Sequence, residues 1–214
     1  MHILITAGPT REPLDPVRYL TNRSSGRMGY ALAEAARNAG HEVTLVSGPV
    51  TLAKPEGIAV VKIETAKEMY EAVQKHISSA DIAIFAAAVA DYRPAVKAEQ
   101  KIKKGAETLT LELERTEDIL GSTRSVFGFK GILVGFAAET EKLIEHAQDK
   151  LVRKGCDLII ANDVSQPGIG FDSAENAVTL CLPGGRTLVM PQQSKAALAS
   201  ELIRFISSML NRKD

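Results

Sequence analysis

The feature that most constrains the fold of this chain is the alternation of short apolar runs with amphipathic stretches. The run HILIT precedes a helix-like stretch over about residues 24–38, and HEVTLVS, IAVVKI, a helix near residues 66–78 and DIAIFAAAVA follow. Such alternation is typical of right-handed βαβ units, whose strands pair in parallel and whose helices cover both faces of the sheet. The sequence therefore predicts an α/β fold with a Rossmann-like, doubly wound and mainly parallel sheet.

The second half of the chain resumes this pattern after a break. The periodicity is lost over residues 92–120 and returns with GILVGFAAE, the charged helix EKLIEHAQDKLVRKG and the strand CDLIIAND. Residues 176–190 alternate with period two around a Pro-Gly-Gly turn, which predicts an added antiparallel hairpin at one edge of the sheet. Apolar residues at helical spacing over residues 194–210 predict a last helix that packs on the sheet.

Length and composition predict a single domain over residues 1–214. The chain carries 26 Lys and Arg against 26 Asp and Glu, and no apolar run approaches the roughly 20 residues that span a bilayer. Because no net positive charge is available for a polyanion, we expect no nucleic-acid partner and no membrane, and any anionic ligand must be small. Cys156 and Cys181 lie in apolar runs and no signal peptide is visible, which indicates buried thiols in a cytoplasmic protein.

The segment SSGRMG, residues 24–29, lies where such a fold binds nucleotides. Ligands of open α/β sheets bind beyond the carboxyl ends of the strands, where a helix N-terminus offers unpaired N–H groups and partial positive charge. Ser24 or Ser25 can cap the helix or bind phosphate, and Gly26 lets the backbone approach a ligand. Gly29 allows close packing of the helix on a strand. An ordinary helix start is an equal alternative for this motif on its own.

Three features separate this segment from a dinucleotide-binding loop. The first glycine of the G-x-G-x-x-G pattern is missing, and the second strand ends in LVSGP without the acidic residue that binds the ribose of NAD. Residues 8–23 also form a longer connection than a dinucleotide loop needs. Because this connection carries Arg11, Arg18 and Arg23, we expect it to wrap a phosphate chain longer than a pyrophosphate.

Several long strings resemble one protein family. ITAGPTREPLDPVRYLTNRSSGRMG, AAAVADYRP, KIKK, GFAAET and ANDVSQPGIGF occur in this order, and on them the chain is identified as a member of the phosphopantothenoylcysteine synthetases, from Ile5 to Phe171 and into the hairpin. In many bacteria this domain is the C-terminal half of a bifunctional coenzyme A biosynthesis flavoprotein that begins with a decarboxylase. Since no flavodoxin-like half precedes Met1, we expect a monofunctional form or an excised domain.

The resemblance implies a ligase that joins 4′-phosphopantothenate to L-cysteine in coenzyme A biosynthesis. In such enzymes the carboxylate attacks the α-phosphorus of CTP, pyrophosphate leaves, and the cysteine amine displaces CMP from the acyl-cytidylate. The resemblance further implies Mg²⁺ carried with the triphosphate and a homodimer in which residues 176–190 contribute to the interface. A monomer whose hairpin only covers its own core is the alternative.

The resemblance also assigns roles to single residues. Asn22 and Lys101 are the catalytic residues: Asn22 contacts the acyl-nucleotide, and Lys101 lies on a loop that closes over the nucleotide. Asn162 is assigned to the acid substrate or to the dimer partner, and Asp91 is a possible metal ligand. Lys103 and Lys104 are weaker candidates than Lys101. The nucleotide-binding residues are Arg18, Ser24, Ser25, Gly26, Met28, Gly29, Ala87, Asp91, Tyr92, Lys101 and Arg115.

Three other hypotheses stay open at this point. The same ligation with ATP is one, because nothing in AAAVADYRP states which base it contacts. An NAD(P)-dependent reductase is another, although the strand-end acid and a Tyr-x-x-x-Lys pair are both missing. The third is a nucleotide sensor without turnover, in which Lys101 is dispensable.

Overall fold

The main element of the fold is an eight-stranded sheet with helices on both faces. The computed structural model describes residues 1–105, 107–139, 141–163 and 175–210. The strands of the sheet are β1 (His2–Ala7), β2 (Glu42–Ser47), β3 (Ala59–Lys62), β4 (Ile82–Phe85), β5 (Ile132–Glu139), β6 (Leu158–Asp163), β7 (Glu175–Cys181) and β8 (Thr187–Ser194). The helices are α1 (Arg27–Asn38), α2 (Ala66–His76), α3 (Ile119–Ser125), α4 (Leu143–Lys154) and α5 (Lys195–Leu210).

The strand order across the sheet is β3-β2-β1-β4-β5-β6-β7-β8. Neighbouring strands from β3 to β6 run parallel, whereas β7 is antiparallel to both β6 and β8. The first six strands therefore have the order of a doubly wound nucleotide-binding fold, which reverses direction between β1 and β4. The predicted Rossmann-like sheet with an antiparallel hairpin at one edge is confirmed.

The central strands are apolar throughout because helices cover both of their faces. In β1, Ile3 and Ile5 belong to the core under α1 and α5, whereas Leu4 belongs to the core under α2, α3 and α4. All three side chains are fully buried. Parallel strands in this position show continuous apolar runs rather than an alternation of apolar and polar residues, as HILIT does.

The helix α1 begins later than its sequence pattern predicts. It starts at Arg27, and its N-cap position is taken by Gly26 in the left-handed conformation, with φ of 76°. Ser24 and Ser25 precede the helix, so the predicted serine cap is wrong. The hydroxyl oxygen of Ser24 instead accepts a hydrogen bond from the Gly26 N–H at 3.4 Å.

Two short antiparallel ribbons lie outside the sheet. The first ribbon pairs Arg11–Pro13 with Tyr19–Thr21, and the second pairs Tyr92–Pro94 with Leu113–Arg115. The sequence analysis predicted neither ribbon and did not predict α3, because elements this short carry no readable hydrophobic period. The second ribbon and α3 occupy the stretch in which the βαβ pattern breaks.

The hairpin of β7 and β8 covers part of the core of its own chain. Val178, Leu180 and Met190 are buried in the same core as α1 and α5, and those two helices pack against each other. The outer strand β8 leaves Leu188 and Val189 exposed. Within the described residues, no helix is both long enough and apolar enough to cross a bilayer.

Candidate active site

A cleft of about 1380 Å³ opens at the carboxyl ends of β1, β4, β5 and β6. It includes the position at which the strand order reverses, where doubly wound folds bind their ligands. Of the lining residues that the structure describes, seven are Lys or Arg and four are Asp or Glu. A chain with no net charge therefore gathers positive charge around this cleft.

One wall of the cleft is residues 22–29, here called the glycine segment. A Cβ added at Gly29 would lie 2.5 Å from the Cβ of Ala7, and one added at Gly26 would lie 2.7 Å from Cγ1 of Val50. Glycine at these positions lets α1 approach the end of β1 more closely than any other residue permits. The first turn of α1 consequently lines the cleft, in the arrangement by which helix N-termini bind phosphate.

The floor of the cleft is the backbone of residues 86–90, which follow β4. The N–H of Ala88 donates to the carbonyl of Gly8 at 2.9 Å, and the N–H of Ala90 donates to the Thr10 hydroxyl at 3.0 Å. The N–H of Ala87 lies 3.3 Å from the hydroxyl oxygen of Thr6. These bonds hold a surface of small side chains on which a flat base can lie.

Asn22 connects the glycine segment to this floor. Its Nδ2 donates to the carbonyl of Val89 at 2.9 Å and lies 3.4 Å from the carbonyl of Ala88. The amide nitrogen that the resemblance assigns to an acyl oxygen is thus bound to backbone carbonyls in this structure. Asp91 and Tyr92 follow the floor and lie exposed at the rim of the cleft.

The wall opposite the glycine segment is basic. We use the name basic wall for Arg115, Lys150, Arg153 and Lys154, which line this side. The sequence analysis missed the three α4 residues, although their spacing of three and four positions indicates a common helix face. This wall gives the cleft the cations that a triphosphate requires.

Two residues of the basic wall also hold its neighbouring elements in place. The Nζ of Lys150 donates to the Phe136 carbonyl at 2.7 Å, and the ammonium of Lys154 binds the carboxylate of Asp118. Burial raises the pKa of Asp118, but the bonds from Lys154 and the Gly121 N–H lower it further, so that its net pKa lies below the ordinary value. Asp118 is therefore an ionised partner for Lys154.

Arg18 lies outside the cleft and binds the loop that carries Lys101. Its guanidinium contacts Oδ2 of Asp15 at 2.6 and 3.0 Å and donates to the Ile102 carbonyl at 2.7 Å. The Ile102 N–H donates to the same carboxylate at 3.0 Å. Arg18 and Asp15 thus anchor residues 97–105, here called the lysine loop.

Most residues predicted for the site come together around the cleft. Those that line it are Asn22, Ser24, Ser25, Gly26, Met28, Gly29, Ala87, Asp91, Tyr92, Arg115 and Asn162. Those outside it are Arg18, Lys101, Lys103 and Lys104. Of the three arginines expected to wrap a phosphate chain, only Arg23 lines the cleft; Arg11 stacks on Tyr19, with its Cζ 4.5 Å from the ring centre.

Three largely buried polar residues form one further part of the cleft lining, here called the amide end. They are Asn162 at the end of β6, Asn176 in β7 and Lys195 at the start of α5. Asn176 and Lys195 were missed because they lie on the hairpin and on the helix that follows it, which sequence patterns alone assign to packing. The sheet topology brings all three to the same edge.

The acidic residues around the cleft suit a metal held mostly by its ligand. The described part of the chain contains no group of three or more His, Cys, Asp or Glu side chains placed to hold a metal ion. Asp91 is an exposed carboxylate on the cleft lining. This donor set fits Mg²⁺ that arrives with a triphosphate and keeps phosphate oxygens and water as most of its ligands.

Comparison with known proteins identifies the family. The model of the DNA/pantothenate metabolism flavoprotein C-terminal domain matches residues 1–210. The chain belongs to this family. The resemblance found in the sequence strings, to the C-terminal half of the bifunctional coenzyme A biosynthesis flavoprotein, is thereby confirmed.

Relatives within the family are similar along the whole chain. The coenzyme A biosynthesis bifunctional protein CoaBC of Vibrio vulnificus is 50% identical over 210 residues, which cover 97% of this chain and 52% of that protein. The protein of the same name from Escherichia coli is 46% identical over 217 residues, which cover 100% and 53%. The chain therefore spans about half the length of these curated relatives.

A solved structure within the family shares the fold. The crystal structure of the C-terminal domain of the coenzyme A biosynthesis bifunctional protein CoaBC has a TM-score of 0.83 to this chain and is 44% identical to it. The match covers 99% of this chain and 96% of that structure. The match is therefore to a domain of the same extent.

Proposed function

We propose that this chain is a ligase that joins 4′-phosphopantothenate to L-cysteine in coenzyme A biosynthesis and uses CTP to activate the acid. The observation that carries the proposal is the cleft. It brings a helix N-terminus, a basic wall and the amide end to one edge of the sheet, in a chain whose relatives are named for coenzyme A biosynthesis. A cleft of this composition has room for a triphosphate and for an acid substrate beside it.

The first step is activation of the acid. A carboxylate oxygen attacks the α-phosphorus of CTP, a P–O bond forms, and the bond to the leaving pyrophosphate breaks. Such transfers depend on neutralising charge on the phosphate oxygens rather than on a protein nucleophile. The first turn of α1 and the basic wall are placed to do this, and Mg²⁺ on the triphosphate, with Asp91 as its nearest protein carboxylate, supplies further positive charge.

Lys101 adds the remaining cation in this proposal. Its loop touches the rest of the chain through Ala98 and Ile102, while Lys101 itself is exposed and outside the cleft. When the loop closes over bound nucleotide, an ammonium reaches the α-phosphate and water is excluded from the activated acid. Asn22 then exchanges its bond to Val89 for one to the acyl oxygen.

The second step is attack of the cysteine amine on the acyl carbon. A C–N bond forms, the C–O bond to CMP breaks, and the amine loses a proton. The thiol in this reaction belongs to the substrate, because both cysteines of the chain are buried and burial raises the pKa of Cys156 to about 12. Free thiols at Cys156 and Cys181 also agree with a cytoplasmic location, which we include in the proposal.

A homodimer through residues 176–190 is part of the proposal. Leu188 and Val189 are exposed on β8, the open edge of the sheet, where a second copy can pair. The ribbons offer a rival surface, since Tyr19, Tyr92 and Leu113 are exposed there. Single cysteines introduced at Val189 and at Leu113 distinguish the two, because only the true interface forms a cross-linked dimer at high yield.

Release of pyrophosphate tests the reaction directly. Purified protein receives 4′-phosphopantothenate, L-cysteine and Mg²⁺, with CTP and ATP offered in parallel reactions. Release with CTP that requires 4′-phosphopantothenate supports the proposal. Release with ATP alone keeps the ligation and overturns the choice of nucleotide, and no release from folded protein with either nucleotide overturns the enzyme in favour of a sensor.

A further inference from the structure

The side-chain oxygen of Asn162 is a buried acceptor without a donor. Asn162 is 9% exposed, and its Oδ1 has no hydrogen-bond partner within the part of the chain that the structure describes. Buried polar atoms nearly always have a partner, and leaving one unpaired costs free energy. An unpaired acceptor on a cleft wall therefore indicates a donor that comes from outside the chain.

The position of Asn162 directs this acceptor into the cleft. Asn162 pairs with Ala138 of β5, two positions beyond the pair of Ile160 with Phe136. Because side chains alternate along a strand, Asn162 shares a face with Ile160, which packs in the core under α1 and α5. Asn162 and Ala138 both line the cleft, so the acceptor lies on the side of the glycine segment.

The neighbours of Asn162 in the amide end already have partners. The Oδ1 of Asn176 accepts a hydrogen bond from the Ala177 N–H at 3.1 Å, and Lys195 is also engaged in an interaction. Asn162 Oδ1 thus differs from the polar groups beside it. Met28 and Phe136, which are half-buried and line the same cleft, supply apolar surface.

An unpaired carbonyl oxygen selects its ligand by chemistry. Ionised carboxylates and phosphates offer only acceptor atoms and would be repelled, so the group at Asn162 has to be an N–H or an O–H. Between its carboxylate and its phosphate, 4′-phosphopantothenate carries an amide N–H, a hydroxyl and two methyl groups. Its uncharged middle therefore matches an acceptor flanked by apolar side chains.

We infer that Asn162 is a specificity residue for the acid substrate, whose amide N–H or hydroxyl donates to Asn162 Oδ1. The inference rests on the proposed function. It assigns the amide end to the uncharged middle of the acid and leaves the basic wall to the nucleotide phosphates. Selection of the acid then depends on a neutral acceptor rather than on charge.

The test compares Asn162→Leu with Asn176→Leu, two substitutions of a buried asparagine by a side chain of the same heavy-atom count. We expect Asn162→Leu to raise the KM for 4′-phosphopantothenate about fivefold to tenfold, as for loss of one hydrogen bond, and to change the KM for CTP less than about twofold. The melting temperature of the ligand-free protein should stay unchanged or rise, because no bond is lost. Asn176→Leu removes the acceptor of the Ala177 N–H and should lower it.

Binding of 4′-phosphopantothenate alone, measured by calorimetry on wild type, Asn162→Leu and Asn162→Ala, separates the possible failures. An active wild type combined with an unchanged KM and affinity for the acid in both variants overturns the inference and leaves the ligase intact. A lower melting temperature for both Asn162 variants, without a change in acid binding, assigns Asn162 to the fold and also overturns it. A folded wild type that neither turns over nor binds the acid overturns the inference and the proposed function together.

Discussion

The glycine segment and the lysine loop, both assigned to phosphate groups in our proposal, are held in opposite ways. The glycine segment ends in Gly26 and Gly29, where close backbone approach fixes α1 against β1. The lysine loop is exposed apart from Ala98 and Ile102, which bind the turn at residues 14–18. The first arrangement suits a surface that keeps its shape, and the second suits a cation that approaches after the ligand has bound.

Lys101→Gln tests the mobile member of this pair and should have the largest effect. Removing a cation that acts on the transferred phosphorus should lower the rate of pyrophosphate release about 100-fold, while the melting temperature stays the same because Lys101 is exposed. Lys97→Gln is the matched control on the same loop and should retain activity. Full activity of Lys101→Gln would remove the functional side of the comparison and transfer attention to Lys103 and Lys104.

Gly26→Ala tests the fixed member. Gly40 also has positive φ, at 82°, but a Cβ added there meets no atom within 4 Å. Gly40→Ala should therefore cost only the conformational penalty, about 1 kcal/mol of unfolding free energy, whereas Gly26→Ala should cost about 2–3 kcal/mol because Val50 must also move. Urea denaturation of both variants measures the difference, and equal losses would contradict the close approach at Gly26.

Asp15→Asn tests the anchor of the lysine loop. Weakening the bonds to Arg18 and Ile102 should speed trypsin cleavage at residues 101–104 and lower kcat about tenfold with little change in the KM for CTP, because the loop closes from a less ordered position. Arg18→Lys keeps the charge but loses the paired contact, so it should lie between wild type and Asp15→Asn. Cleavage at the wild-type rate in Asp15→Asn would show that the loop has another anchor.

The same variant has a defined pH dependence. Burial raises the pKa of Asp15, but hydrogen bonds from Arg18 and from the N–H groups of Val17 and Ile102 lower it well below its ordinary value. A carboxylate with a lowered pKa stabilises the fold above its unfolded pKa, about 3.9, and this contribution is lost as the pH falls through the folded value. The stability difference between wild type and Asp15→Asn should be constant above about pH 5 and shrink below about pH 4, as urea titrations at each pH can measure.

The sequence allowed the sheet to be predicted because parallel strands leave strong local signals. Continuous apolar runs gave β1, β2, β4, β5 and β6, and the period-two run around a turn gave the hairpin. The second ribbon left no such signal, since its strands span three residues and depend on Arg93, which binds Glu114 and Glu117 across the chain. Its existence follows from tertiary contacts that no local pattern contains.

The site was predictable to the extent that it follows strand ends. Ala87, Asp91 and Asn162 lie at or just beyond the carboxyl ends of parallel strands, where the fold places ligands, and all three line the cleft. Lys150 and Lys154 were missed because a charged helix face is usually solvated. For Arg18 the sequence shows the charge, but the carbonyl of Ile102 that it binds lies 84 positions away.

The packing of α5 on α1 has a consequence for the synthesis of the protein. Asn38 ends α1, and α5 begins at Lys195, more than 150 residues later. At about 5–20 residues per second, a ribosome needs roughly 8 to 30 s to produce the helix that covers the apolar side of α1. The nascent chain exposes that surface for the whole interval, so the first βαβ unit depends on chaperones or on the ribosome surface until the last helix emerges.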